Sequence, residues 1–151
     1  MLTPIEELGN VSLSKNPAGN LYAGTTEITF NGSTLNFDLY SAAGMTALAV
    51  EDSVDGGNAL LWKLSDGSVY HWKFNAEWER TSAFRFYAAG SDGFYTAETD
   101  FQIDVNLDAT VGQPASASLT PIEELGNVSL SKNAAGNLYA GTTEITFNGS
   151  T

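Results

Sequence analysis

Residues 2–34 of this chain occur twice. The run LTPIEELGNVSLSKNPAGNLYAGTTEITFNGST returns as residues 119–151, changed only where Ala134 stands for Pro17, at an offset of 117 residues (119 − 2). Identity over such a length points to recent duplication or continuing sequence exchange, and a fixed period makes the chain one full repeat plus the start of the next. One period is long enough to bury a single core, whereas the second copy alone is too short to fold. The organisation read from this is a complete repeat unit over 1–112, a small, proline-bearing linker over 113–118 (QPASAS), and a partial second repeat over 119–151.

The duplicated segment reads as β-strands. Asn10–Lys15 alternates polar and apolar residues, Asn16-Pro17-Ala18-Gly19 supplies a turn, and Asn31-Gly32 is a strong tight-turn dipeptide after the β-prone run Thr26–Phe30. Thr34–Tyr40 is predicted as a further strand with Leu35, Phe37 and Leu39 on one face. Met45–Asp52 is another apolar run. Leu60, Trp62 and Leu64 then alternate into the Ser65–Ser68 turn, and Tyr70, Trp72 and Phe74 alternate back, which predicts a half-buried hairpin with Lys63, His71 and Lys73 on its wetter face. Asn75 is predicted to cap a helical turn through Trp78, and Ala83–Tyr87 to be strand. After Gly90 the period changes: Ser91 can cap a helix carrying Phe94, Ala97 and Phe101 on one side. The fold class is therefore mainly β, an antiparallel sheet of hairpins with one late α-helix leading into a calcium-type loop.

Charge narrows the partners. With 18 acidic against 6 basic side chains, the net charge of −12 disfavours nucleic acid and anionic membrane and makes cations the natural counterpart. Absent cysteines exclude disulfides and thiolate metal sites, and no apolar run approaches the roughly 20 residues of a membrane span. Met1 directly precedes a repeat start, so the chain reads as a piece of a longer protein whose targeting signals lie elsewhere.

Directly after the late helix, Asp104, Asn106 and Asp108 place side-chain oxygens at alternate positions, with the Thr110 carbonyl next in the series. These are ligand positions one, three, five and seven of an EF-hand-type calcium loop, in which Ala109 and Ala115 take the places of the glycine and the terminal acid. The missing carboxylate is expected from Glu98, or from Glu123 or Glu124 of the next repeat, which would clamp the linker. Trp78, between Glu77 and Glu79 and outside any pattern, is the candidate for an exposed sugar-stacking ring. Catalysis has no support: His71 is the only histidine, and Glu77 and Glu79, two positions apart, do not stack on a helix.

The stretches Leu48–Lys63, with its Leu60-Leu61-Trp62-Lys63 ending, Tyr70–Trp78, and Glu98–Gly112 with its Asp-Asn-Asp series, together resemble a tryptophan-rich domain. That domain is found at the C-termini and in the repeats of large cyanobacterial and other bacterial exported proteins. Leu107 and Ala109 stand where the family pattern has glycines. The resemblance implies an exported, surface-attached, calcium-associated module and no enzymatic activity.

The expected function is a structural repeat module of a large extracellular or cell-surface protein, its partners adjacent repeats or other copies of itself. One core accepts one copy of the duplicated segment, the front one because it bounds a family-like unit ending at Gly112, so the surplus copy is expected to dock into a neighbouring molecule. The alternative is a carbohydrate-binding adhesin with polysaccharide as ligand.

Overall fold

A computed structural model describes residues 1–54, 57–114, 120–123, 127–132, 138–141 and 143–145. It divides into Met1–Gly112 and Gln113–Thr151.

The first unit begins with the duplicated segment as a four-stranded antiparallel meander: β1 (Thr3–Glu6), β2 (Leu13–Lys15), β3 (Leu21–Ala23) and β4 (Thr26–Glu27). Asn16 organises its central turn, its side-chain oxygen accepting the N–H groups of Ala18 and Asn20 at 3.0 Å each. A hairpin of β5 (Thr29–Phe30) and β6 (Ser33–Thr34) follows, closed by Asn31 and Gly32 at φ 52° and 73°. Both are left-handed, as a primed hairpin turn requires. The expected strand over Thr34–Tyr40 is instead the short helix α1 (Phe37–Ala42). Asn36 decides this, because its side chain caps the helix by accepting the Leu39 N–H at 3.1 Å, and Leu39 turns out to solvent.

The large sheet comes next as an antiparallel meander of β7 (Met45–Val54), β8 (Gly57–Leu64), β9 (Val69–Phe74) and β10 (Arg80–Tyr87). Both faces of its centre are buried, which corrects the half-buried hairpin expected from alternation. On one face Ala47, Val50, Leu60, Trp62, Trp72 and Phe74 meet Leu13, Leu21, Ile28 and Leu35 from the front of the chain. Tyr40 of α1 lies tilted against Trp62 and edge-on to Trp72, with ring centroids 4.8 and 5.7 Å away. On the other face Ala49, Ala59, Leu61 and Val69 pack under Phe94, Ala97 and Phe101 of α2 (Asp92–Asp100 and its C-cap) and under Val105. His71, placed by its spacing on a wet face, is buried there with its ring edge-on to Phe101 at 5.4 Å. The continuous Leu60-Leu61-Trp62 run is the sequence mark of a strand covered on both sides. A register shift between Ala47 and Ala49 lets β7 serve both faces.

The second unit repeats the first meander as β11 (Thr120–Glu123), β12 (Leu130–Lys132), β13 (Leu138–Ala140) and β14 (Thr143–Glu144). Its pairing copies the front one residue for residue. Thr120 faces Lys132 as Thr3 faces Lys15, Tyr139 faces Glu144 as Tyr22 faces Glu27, and each first hairpin shifts register at the same place.

Candidate functional site

Helix α2 starts at Ser91, whose hydroxyl accepts the Phe94 N–H at 3.3 Å, and the chain leaves it through Gln102 at φ 52°. The following loop is folded by its own polar side chains. Asp104 accepts the N–H groups of Asp108 at 3.2 Å and Ala109 at 2.8 Å, Asn106 accepts Asp108 N–H at 3.0 Å, and Asp108 accepts Thr110 N–H at 2.8 Å. The Asn106 amide also donates to Asp108 at 3.0 Å. To sustain these turns Leu107 and Ala109 sit at φ 62° and 68°, the region glycine enters freely.

Asp104, Asn106, Asp108 and Thr110 are thus gathered in one loop. A carboxylate has about four lone-pair sites, so accepting backbone N–H groups leaves oxygen lone pairs for a hard cation, and the donor set is of the kind calcium takes. Among the described residues, no group of three or more His, Cys, Asp or Glu side chains is arranged to hold a metal. Glu98 does something different from donating a ligand. It is fully buried, its Oε1 accepts the N–H groups of Val105 and Asn106 at 3.0 and 3.2 Å, and its Oε2 accepts that of Gly112 at 3.2 Å. The Lys63 ammonium donates to the Val105 carbonyl at 2.6 Å, so one peptide is gripped from both sides. Glu123 lies on the exposed strand β11, and Glu124 falls outside the described residues.

Trp78 is not an open ring. It is 7% exposed in the core beside Phe74, at φ 62°, and its carbonyl accepts the Thr29 N–H at 2.9 Å. The residues around it form a turn rather than the expected helical turn, with Asn75 accepting the N–H groups of Glu77 and Glu79 at 3.1 and 2.9 Å. Glu79 then reaches the front segment, accepting the Thr29 hydroxyl and the Gly32 N–H, and the hydroxyl bond holds its carboxyl below the usual range. Among the described residues the exposed aromatics are instead Phe84 and Phe86 of β10. Their Phe-Arg-Phe alternation was the available signal, and the two-sided exposure of an edge strand is what alternation alone does not convey.

The front segment is fastened to the large sheet by apolar packing and by a pair of acids that spacing did not suggest. Glu6 and Glu51 are both buried. Glu6 accepts the N–H groups of Leu8 and Gly9, Glu51 accepts that of Asn10 at 3.0 Å, and one oxygen of each has no hydrogen-bond partner among the described residues. Gly9 fits between them only without a side chain, since a Cβ there would lie 1.4 Å from Glu51 Oε1. Burial pushes the Glu51 carboxyl above its ordinary value, with Glu6 and Asp52 adding repulsion against the Asn10 hydrogen bond.

The duplicated segment is a second candidate site. Leu21 and Ile28 are fully buried in the front copy, whereas their counterparts Leu138 and Ile145 are 42% and 47% exposed. The same ladder therefore presents a covered apolar face in one copy and a partly exposed one in the other.

A family model described as the tryptophan-rich Synechocystis species C-terminal domain matches residues 17–112. The match takes in the chain from the central turn of the front meander to the end of the acidic loop. No curated protein and no solved structure matches the chain.

Proposed function

The chain belongs to the tryptophan-rich Synechocystis species C-terminal domain family, and from that premise we propose that it is a structural repeat module of a large extracellular or cell-surface protein. Copies act in tandem, each joined to a neighbour by donation of a surplus meander. The observation that carries this reading is the pair of copies with equal ladders and unequal cover. The face that covers Leu13, Leu21 and Ile28 is the Trp62–Trp72–Phe74 side of β8 and β9. A side chain of this size gains roughly 1.5–3 kcal/mol on full burial, so three supply roughly 5–9 kcal/mol to whichever meander occupies that face. The second meander, whose Leu138 and Ile145 are 42% and 47% exposed, can claim a share of that reward only on an equivalent face, which a second copy of this chain presents once its own front meander is displaced. Because donor and acceptor surfaces differ, each contact is heterologous, and donation extends head to tail wherever two molecules do not exchange meanders reciprocally.

Calcium steadies the module in this reading. Asp104, Asn106, Asp108 and the Thr110 carbonyl would hold it, with Glu123 or Glu124 as the added clamp, and the ion would supply the charge that brings these oxygens together. Among the described residues no helix is long and apolar enough to cross a membrane. The test is light scattering coupled to size-exclusion chromatography on the full chain and on a version ending at Ser118, each with calcium and with chelator. Concentration-dependent assemblies from the full chain alone, lost in Ile145→Asp, are expected. Monomers in all four samples overturn the donation. Unchanged calcium affinity in Glu123→Gln/Glu124→Gln overturns the clamp.

A further inference from the structure

The aromatic face of the large sheet extends beyond what covers it. In register Phe84 lies opposite Trp72 and Phe86 opposite Tyr70, so both continue the core-facing side of β9 onto the edge strand β10. They are 55% and 50% exposed. Tyr70 meets Phe84 and Phe86 edge-on at 5.8 and 5.4 Å, giving a platform of three rings. At its inner end Tyr70, Trp72, Phe84 and Arg80 line a groove of about 230 Å³.

Arg80 gives the groove its chemistry. Its guanidinium carbon stands 3.8 Å from the Trp72 ring centroid and 4.6 Å from that of Phe30, and its buried Nε has no hydrogen-bond partner among the described residues. Among the described residues no carboxylate is ion-paired with it, although the chain carries 18 acids. Burial pulls its proton affinity down, with only Tyr40 acting the other way. An arginine held between rings keeps its planar fork, and a carboxylate is the group that fork matches.

We propose that this groove binds uronic acid units of an acidic polysaccharide, the pyranose resting its C–H face on the exposed ring of Phe84 and its carboxylate pairing with Arg80. The size fits a single ring, being below the roughly 300–1,000 Å³ of sites for drug-sized ligands. A peptide added along the free edge of β10 would run beside the sheet, whereas the groove opens on the face. The net charge of −12 does not forbid an anionic ligand. At physiological salt the screening length is about 8 Å, so distant acids are largely silenced while a carboxylate in contact with Arg80 is not. This binding does not depend on the assembly proposed above.

The test is calorimetry and tryptophan fluorescence on the full chain with oligogalacturonate, its methyl ester and hexaglutamate, in physiological salt with chelator present. Oligogalacturonate is expected to bind and perturb Trp72, with the ester at least about tenfold weaker, a difference of about 1.4 kcal/mol. Arg80→Gln should lose the preference for the free acid. Phe84→Ser/Phe86→Ser, at positions already half exposed, should lose binding while melting as the parent does, so the test survives if the arginine variant misfolds. No binding, or equal binding of acid and ester, overturns the proposal. Hexaglutamate binding as tightly as the sugar overturns it in favour of acidic peptides.

Discussion

Replacing Leu107 and Ala109 by glycine should stabilise the first unit. Both residues hold left-handed backbone, at φ 62° and 68°, where an L side chain costs roughly 1–2 kcal/mol through contact between Cβ and the following carbonyl. Glycine removes that cost and adds about 0.5–1 kcal/mol of its own by loosening the unfolded chain. Leu107 is 81% exposed, so its truncation forfeits little burial. The net gain is roughly 0.5–1 kcal/mol per site, or about 1–2 kcal/mol for Leu107→Gly/Ala109→Gly, if the sites add. The loop is tied to the core through Glu98 and Lys63, so relief in the loop should register in the global transition. For a domain of this size the double variant should melt roughly 4–8 °C higher. Urea titration and thermal melting followed by tryptophan fluorescence provide the reading. Thr110→Gly, in the same loop without left-handed backbone, supplies the opposite sign and should lower stability. If the double variant is no more stable than the parent, or if Thr110→Gly stabilises as well, the strain assigned to these two residues is not there.

Glu98→Gln keeps one acceptor oxygen but turns an amide N–H₂ toward backbone donors; a loss of about 2–3 kcal/mol is expected by urea titration, with the loop peptides of Val105 and Gly112 exchanging faster with deuterium. For Glu51, the carboxyl raised by burial holds its proton more tightly in the folded state than in the unfolded chain. Its contribution is therefore full below the ordinary value of 4.5 and is lost as pH climbs through the raised one. Glu51→Gln should flatten that decline and be more stable than the parent at neutral pH, where its amide lies by the Glu6 carboxylate; a parallel decline in both proteins refutes the assignment. Ile28→Ala and Ile145→Ala change the same residue in the same local sequence. The first, in the core, should cost about 2–5 kcal/mol, while the second should leave unfolding of the dilute monomer within about 0.5 kcal/mol.

Local chemistry made much of this fold legible. Asn31-Gly32 marked a hairpin, Ser91 marked a helix start, and the alternating tryptophans marked paired strands, because each signal acts within a few residues. Legibility failed where a distant element decides. His71 alternates with Tyr70 and Trp72 and so reads as solvent-facing, until Phe101 of a later helix covers it. Trp78 breaks the pattern and so reads as exposed, until the front segment closes over it. The acidic loop was found from its oxygen spacing, but the role of Glu98 was not, since a buried carboxylate serving three backbone donors leaves no periodic trace.

The two meanders separate what a short sequence encodes from what its surroundings add. Gly24 and Gly141 share nearly the same φ, 58° and 62°, and donate to Ser12 and Ser129 at the same 2.8 Å. Ladder and turn are therefore local properties, while burial belongs to the sheet that lies against them. Two claimants to one kind of face make exchange nearly neutral in contact energy, so small terms set its direction. Pro17 is such a term. It holds the second position of the Asn16–Gly19 turn, where Gly19 donates to the Asn16 carbonyl at 2.9 Å, and Ala134 is its counterpart in the other copy. Proline there restricts the unfolded chain and stabilises the front meander by about 0.4–1 kcal/mol. That favours the front copy by roughly two- to fivefold, and Pro17→Ala should remove the bias and increase the assembled fraction by a similar factor at fixed concentration. Ala134→Pro should instead strengthen the donor segment. If Pro17→Ala leaves assembly unchanged while lowering the melting temperature, the front copy does not compete with the second for a common face.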